Sequence, residues 1–211
     1  MLTNLMPHFP PFFSFMVLIG CQCIAGAWRF CGYSRQGHVI TNYKIQYWNP
    51  DDYGRTSESN NCHHNGSLEA GIREYTYYVL YMLESIISKS VKQDQFVIIF
   101  DLKGFTTSMV FKRNVRYMIG KLIYVAQTQY PERLYKAYIV NAPRTFTVAW
   151  NLIKALLDPK TVAKVTFCTK LPNDIVEKTN DKNGDNGCSI PLDVLSKEYG
   201  GTHPEYDSSI L

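Results

Sequence analysis

A strand–turn–helix unit that occurs twice in succession constrains this chain more than any other feature. The run Gln95–Phe100 (QFVIIF) is almost wholly apolar, as befits a strand buried on both faces. Asp101–Gly104 turns it into a predicted helix over Ser108–Gln129, with Phe111, Val115, Met118, Leu122 and Val125 on one face. The second unit is a strand over Tyr135–Val140, ended by Asn141-Ala142-Pro143, and a helix over Arg144–Leu157 that stops near Asp158-Pro159. A further strand is predicted over Val162–Cys168. Upstream, Leu68–Val91 places Ile72, Tyr75, Val79, Met82, Leu83 and Ile86 at helical spacing, and His38–Trp48 mixes β-branched and aromatic residues as a strand does. Strands alternating with helices imply βαβ units. The expected fold is α/β, a mixed, largely parallel β-sheet flanked by helices with right-handed crossovers.

With 211 residues, 45% hydrophobic and 19% charged, the chain suits one domain with a substantial core. A net charge of +4 favours an anionic membrane surface over nucleic acid, for which a basic stripe would be required. Aromatics reach 14%, largely from 15 Tyr, a residue suited to half-wet positions at pocket mouths. None of the six cysteines forms a C-x-x-C pair, and a reducing compartment is expected.

The sequence contains no G-x-S-x-G elbow, Walker loop or G-x-G-x-x-G, and no triad or carboxylate pair that spacing supports. No catalytic residue, cofactor or metal is assigned. Cys62, His63 and His64 lie near Asp51 and Asp52, but adjacent histidines chelate one ion poorly. Asp181, Asn183 and Asp185 imitate the start of a calcium loop, but Leu192 stands where its bidentate Glu belongs. Pro10–Trp28 is apolar and nearly uncharged, and no Lys or Arg precedes it. It reads as a signal or anchor segment, as a hydrophobic arm packed on the domain, or as an altered start, and these alternatives stay open.

Five blocks, taken together, resemble the Sec14-like lipid-binding (CRAL-TRIO) family. They are Asp101-Leu102-Lys103-Gly104, Tyr130-Pro131-Glu132-Arg133, Asn141-Ala142-Pro143, Leu157–Lys164 (LDPKTVAK) and Lys197–Thr202 (KEYGGT). The resemblance implies an apolar N-terminal arm at 1–30 in place of the usual helical lobe, a lipid-binding domain at 31–205 and a tail at 206–211. It implies a sheet flooring an apolar pocket, with Phe146–Leu157 as a mobile gate. Pocket and gate residues are then Phe96, Ile98, Phe100, Tyr130, Phe146, Ala149, Trp150, Ile153 and Leu157. In the phosphatidylinositol-binding members the headgroup is met by a Glu, a Thr and a Lys, here Glu132, Thr161 and Lys164. Phe96 and Ile98 replace the hydroxyl side chains of the phosphatidylcholine-binding pattern, which points away from a choline headgroup.

The expected function is therefore binding of a single lipid, foremost phosphatidylinositol, and its transfer or presentation at membranes, without covalent chemistry. The expected partners are a phospholipid or other small lipid and a transient membrane surface, with no nucleic acid. The expected location is cytoplasmic and peripheral to membranes. The alternatives are a carrier or sensor of a non-phospholipid ligand (tocopherol, retinoid or sterol) and an interaction module with a vestigial pocket.

Overall fold

The structure is a computed structural model that describes residues 27–48, 68–171 and 189–203. Five strands form one sheet in sequence order: β1 (Trp28–Tyr33), β2 (Val39–Lys44), β3 (Phe96–Asp101), β4 (Leu134–Val140) and β5 (Val165–Phe167). The hairpin β1–β2 is antiparallel, while β2–β3, β3–β4 and β4–β5 are parallel. Helix α1 (Leu68–Ser88) joins β2 to β3. Helices α2 (Thr107–Phe111) and α3 (Arg113–Gln129) join β3 to β4, and α4 (Phe146–Lys154) and α5 (Pro159–Ala163) join β4 to β5. The mixed, largely parallel α/β sheet is the one its sequence predicts.

Because the parallel strands lie side by side in sequence order, crossovers of one hand put every connecting helix on the same face. The packing agrees. Val79, Leu83 and Ile86 of α1 and Val115 and Met118 of α3 cover Val39, Tyr43, Phe96, Ile98 and Ala137. Further along, Phe146 and Ala149 of α4 meet Val110, Leu102 and Ile139. Each of the Val, Leu, Ile, Met and Phe side chains among these contributes roughly 1.5–3 kcal/mol by leaving water.

The other face has no crossover helix to cover it. Instead Ile190, Leu195 and Tyr199, from the segment 189–203, pack with Leu171 over Ile40, Val97, Ile99, Tyr138 and Val140. One backbone hydrogen bond and one side chain tie this cover down. Arg35 N donates to Ser189 O and Ser189 N donates to Gln36 Oε1, while within the cover His203 N donates to Leu195 O. Gly201 lets the cover close on itself, because a Cβ there would lie 2.0 Å from Leu195 O.

Three expectations need correction. The helix predicted over Ser108–Gln129 is broken at Lys112, whose ψ of 126° is extended. Phe111 is therefore turned off the buried stripe and is 58% exposed. The strand predicted over Val162–Cys168 is shortened to Val165–Phe167, since α4, predicted as far as Leu157, already ends at Lys154 and Asp158-Pro159 starts α5. Pro159 occupies the first turn, and the Asp158 carboxylate accepts from Thr161 N at 2.9 Å, an ordinary N-cap. Finally, His38–Trp48 is strand only as far as Lys44 and continues as a 3-10 turn, Ile45–Tyr47.

Candidate functional site

Parallel pairing carries two distant residues to one edge of the sheet. Glu132 stands one residue short of the start of β4, with Arg133 between, and Lys164 immediately precedes β5; these strands are neighbours, with Ala137 opposite Val165. Both side chains thus emerge at the N-terminal ends of adjacent strands. Lys164 Nζ donates to Glu132 Oε2 at 2.9 Å, and Lys160 Nζ lies 3.6 Å from Glu132 Oε1. The hydrogen bond and charge of Lys164, followed by the charge of Lys160, hold the Glu132 carboxyl below its usual range. Glu132 is exposed, and it stands in the left-handed region at φ 57°. For a residue with a Cβ that conformation costs about 1–2 kcal/mol. The corner is locked by Gln95 Nε2 donating to Glu132 O at 2.8 Å and by Phe96 N donating to Arg133 O at 2.9 Å.

Thr161 sits one turn before Lys164, but its hydroxyl is engaged. Thr161 Oγ1 donates to Asp158 Oδ2 at 2.6 Å, and this bond, with that from Thr161 N, holds the Asp158 carboxyl below its usual range. Glu132 and Lys164 are therefore brought into contact, while Thr161 turns back to cap α5. An arriving anion could pair with Lys164 and draw hydrogen bonds from Thr161 only by displacing these internal partners.

The apolar residues divide in two. Phe96, Ile98, Phe146 and Ala149 are buried, whereas Phe100, Tyr130, Trp150, Ile153 and Leu157 are partly buried. Tyr130 anchors α1 to the corner, its hydroxyl donating to Glu84 Oε1 at 2.6 Å; burial and that carboxylate push its pKa up. On α4 the inward stripe packs on an aromatic cluster. Phe146 lies 5.1 Å from Phe105, and Trp150 lies 5.0 Å edge-on from Phe167 of β5. The outward stripe, Val148 and Leu152, is exposed, so α4 is apolar on both sides as its composition predicts. Between α3 and α4 opens a groove of about 620 Å³ floored by Ile119, Gly120 and Ile153. Of the expected pocket residues, Ile153 alone lines it.

Sequence reasoning missed Gln127. From α3 it reaches the link after α4: its Oε1 accepts from Asp158 N at 2.9 Å, and its Nε2 donates to Leu156 O at 3.4 Å. A lone Gln in a helix carries no signal of this, because its partners are backbone groups about thirty residues away. The Asp101 and Asn141 blocks lie at the opposite edge of the sheet. There Asp101, 1% exposed, accepts from Lys103 N at 2.9 Å, Asn141 Nδ2 at 2.8 Å and Tyr199 OH at 2.8 Å. Beside them Lys44 forms an ion pair with Glu198.

Among the described residues no three His, Cys, Asp or Glu side chains converge as a metal site. The Cys62–His64 cluster, the loop with Asp181 and Asp185, and 10–26 of the apolar arm lie outside the described residues. Among the described residues, no helix is long and apolar enough to cross a membrane.

A model of the CRAL/TRIO domain matches residues 26–201. The chain belongs to the CRAL/TRIO domain family. Among relatives of this CRAL/TRIO chain, the SEC14 cytosolic factor of Candida glabrata is 40% identical over 104 residues, 49% of this chain and 30% of that protein. The phosphatidylinositol transfer protein CSR1 of Eremothecium gossypii is 31% identical over 139 residues, 66% of this chain and 28% of that protein. The crystal structure of Sfh5 superposes with a TM-score of 0.53 at 17% identity, covering 75% of this chain and 54% of that one, and shows a shared fold. The chain spans less than two fifths of the first three curated relatives, at 30%, 39% and 28% of their lengths.

Proposed function

We propose that this CRAL/TRIO chain binds a single lipid between its sheet and α4 and exchanges it at membranes without covalent chemistry. The preferred ligand is phosphatidylinositol. Its phosphate pairs with Lys164, its inositol hydroxyls donate to Glu132, and Thr161 exchanges Asp158 for a phosphate oxygen. Phe96, Ile98, Phe100, Tyr130, Phe146, Ala149, Trp150, Ile153 and Leu157 serve as pocket and gate. The chain acts at the cytoplasmic surface of membranes, in keeping with the names of its relatives, a cytosolic factor and a phosphatidylinositol transfer protein among them.

The observation that carries this reading is the Lys164–Glu132 contact at the exposed edge of adjacent strands. A cation and an acceptor placed side by side match the phosphate and hydroxyls of an inositol headgroup. The left-handed Glu132 supports it, since backbone strain of this kind concentrates at binding sites. Acyl burial adds about 0.8 kcal/mol per CH2, so two chains supply most of the affinity and the headgroup supplies selectivity.

The test is loading of purified protein with phosphatidylinositol and with phosphatidylcholine, for the parent, Lys164→Ala and Glu132→Gln. Both variants should lose phosphatidylinositol loading while keeping the parent circular dichroism spectrum. Parent-level loading by Lys164→Ala sinks the headgroup assignment.

A further inference from the structure

The charge of this chain is unevenly distributed. Residues 107–164 hold ten Lys and Arg against two Asp and Glu, a net charge of +8, whereas the whole chain carries +4. The remainder is therefore net acidic by four charges. Helix α3 contains three basic residues and no acidic one. Its exposed positions Arg113, Arg116, Tyr117, Lys121 and Tyr124 recur every three or four residues, so they form one stripe along the helix. Among the described residues no carboxylate pairs with Arg113, Arg116 or Lys121, and Lys121 Nζ instead lies 5.8 Å from the centre of the Tyr124 ring.

Apolar surface adjoins these cations. Tyr117 and Tyr124 are 60% and 61% exposed, and across the groove Leu152 and Leu156 are 42% and 48% exposed. A merely solvated basic face has no use for four large apolar side chains held in water, and a continuous patch of this kind marks a docking surface. Charge complementarity selects the partner. Tyrosines suit the level of lipid headgroups, aliphatic side chains suit the acyl boundary beneath, and clustered cations suit anionic headgroups. Leu156, just past the end of α4, faces Gly120 of α3, where a Cβ would meet Leu156 Cδ1 in ordinary contact at 4.0 Å. The α3 and α4 stripes thus form one surface.

We propose that α3, the outer stripe of α4 and Leu156 in the link after it together form a docking surface for an anionic lipid bilayer. Arg113, Arg116 and Lys121 engage the headgroups, Tyr117 and Tyr124 lie at their level, and Leu152 and Leu156 enter the acyl boundary. This extends the exchange reading above by naming the membrane class and the face that meets it. It is separable from the lipid held at Glu132 and Lys164.

The test is co-sedimentation of the purified chain with vesicles of phosphatidylcholine alone and of phosphatidylcholine mixed with phosphatidylserine. Binding should require phosphatidylserine and weaken with added salt. Each surface cation is worth about fivefold, so Arg113→Gln, Arg116→Gln and Lys121→Gln combined should lower affinity on the order of a hundredfold. Tyr117→Ala with Tyr124→Ala should also weaken binding. All five positions are exposed, and circular dichroism checks that the fold is kept. Lys164→Ala should lose phosphatidylinositol loading yet retain vesicle binding, so the two claims fail independently. Equal binding to both vesicle types, unchanged binding by the triple variant, or a self-dimer in solution that the tyrosine substitutions dissociate would each overturn the proposal.

Discussion

Tyr199→Phe tests how the fold closes its uncovered face. The ring of Tyr199 is buried among the residues of that face, and its hydroxyl donates to Asp101 Oδ2 at 2.8 Å. The other two donors to this carboxylate, Lys103 N and Asn141 Nδ2, both reach Oδ1. Removing the hydroxyl therefore leaves Oδ2 of a side chain that is 1% exposed without its partner among the described residues. Hydrogen bonds to charged groups contribute about 1.5–3 kcal/mol, and an orphaned buried acceptor places the loss near the upper end, about 3 kcal/mol. That is a large part of the 5–15 kcal/mol typical of a domain. The assay is equilibrium urea unfolding of parent, Tyr199→Phe, Asp101→Asn and the double variant. In the Asp101→Asn background the amide NH2 that stands where Oδ2 stood donates to the Tyr199 oxygen without charge assistance, so the same substitution should then cost less, about 1 kcal/mol. A Tyr199→Phe loss within about 0.5 kcal/mol of zero, or equal losses in both backgrounds, would refute the reasoning.

Three further outcomes are expected. Gly201→Ala should destabilise by more than about 3 kcal/mol, because its Cβ meets backbone that cannot move aside. Gly200→Ala meets no atom within 4 Å and should cost only the left-handed penalty of about 1–2 kcal/mol, so thermal melts should rank the two in that order. Gln127→Ala removes both hydrogen bonds that hold the α4–α5 link to α3, at about 1 kcal/mol each, so hydrogen exchange at Leu156–Thr161 should speed up roughly tenfold or more. The folded Glu132 carboxyl titrates below its ordinary value of 4.5, so its contact with Lys164 favours the folded state above that pH and is lost as pH falls through the lower, folded value. Carboxyl carbon NMR should show that depressed titration in the parent and its return toward 4.5 in Lys164→Ala.

The parallel sheet was legible because the buried strands β3 and β4 are apolar runs and α1 has a clear helical period. Strand β1 was not legible. A register shift between Phe30 and Gly32 breaks the two-residue alternation, and its first residues follow an apolar run that reads as an arm. The cover over 189–203 is largely irregular, so no periodicity announces it, although its KEYGGT block stood out by resemblance. Asp158-Pro159 reads as a stop but serves as a start, since an N-cap and a chain reversal use the same residues. Of the three proposed headgroup residues, Glu132 and Lys164 meet because β4 and β5 are parallel neighbours. The bond from Thr161 to Asp158 depends on side-chain rotamers that no spacing reveals.

The central claim is a bound lipid with its headgroup at Glu132 and Lys164. Native mass spectrometry of the purified chain, followed by identification of the extracted ligand, tests it most directly. The account predicts one phospholipid per chain, enriched in phosphatidylinositol. Protein that carries no lipid and takes up none from vesicles, or that retains phosphatidylcholine as readily, would contradict it.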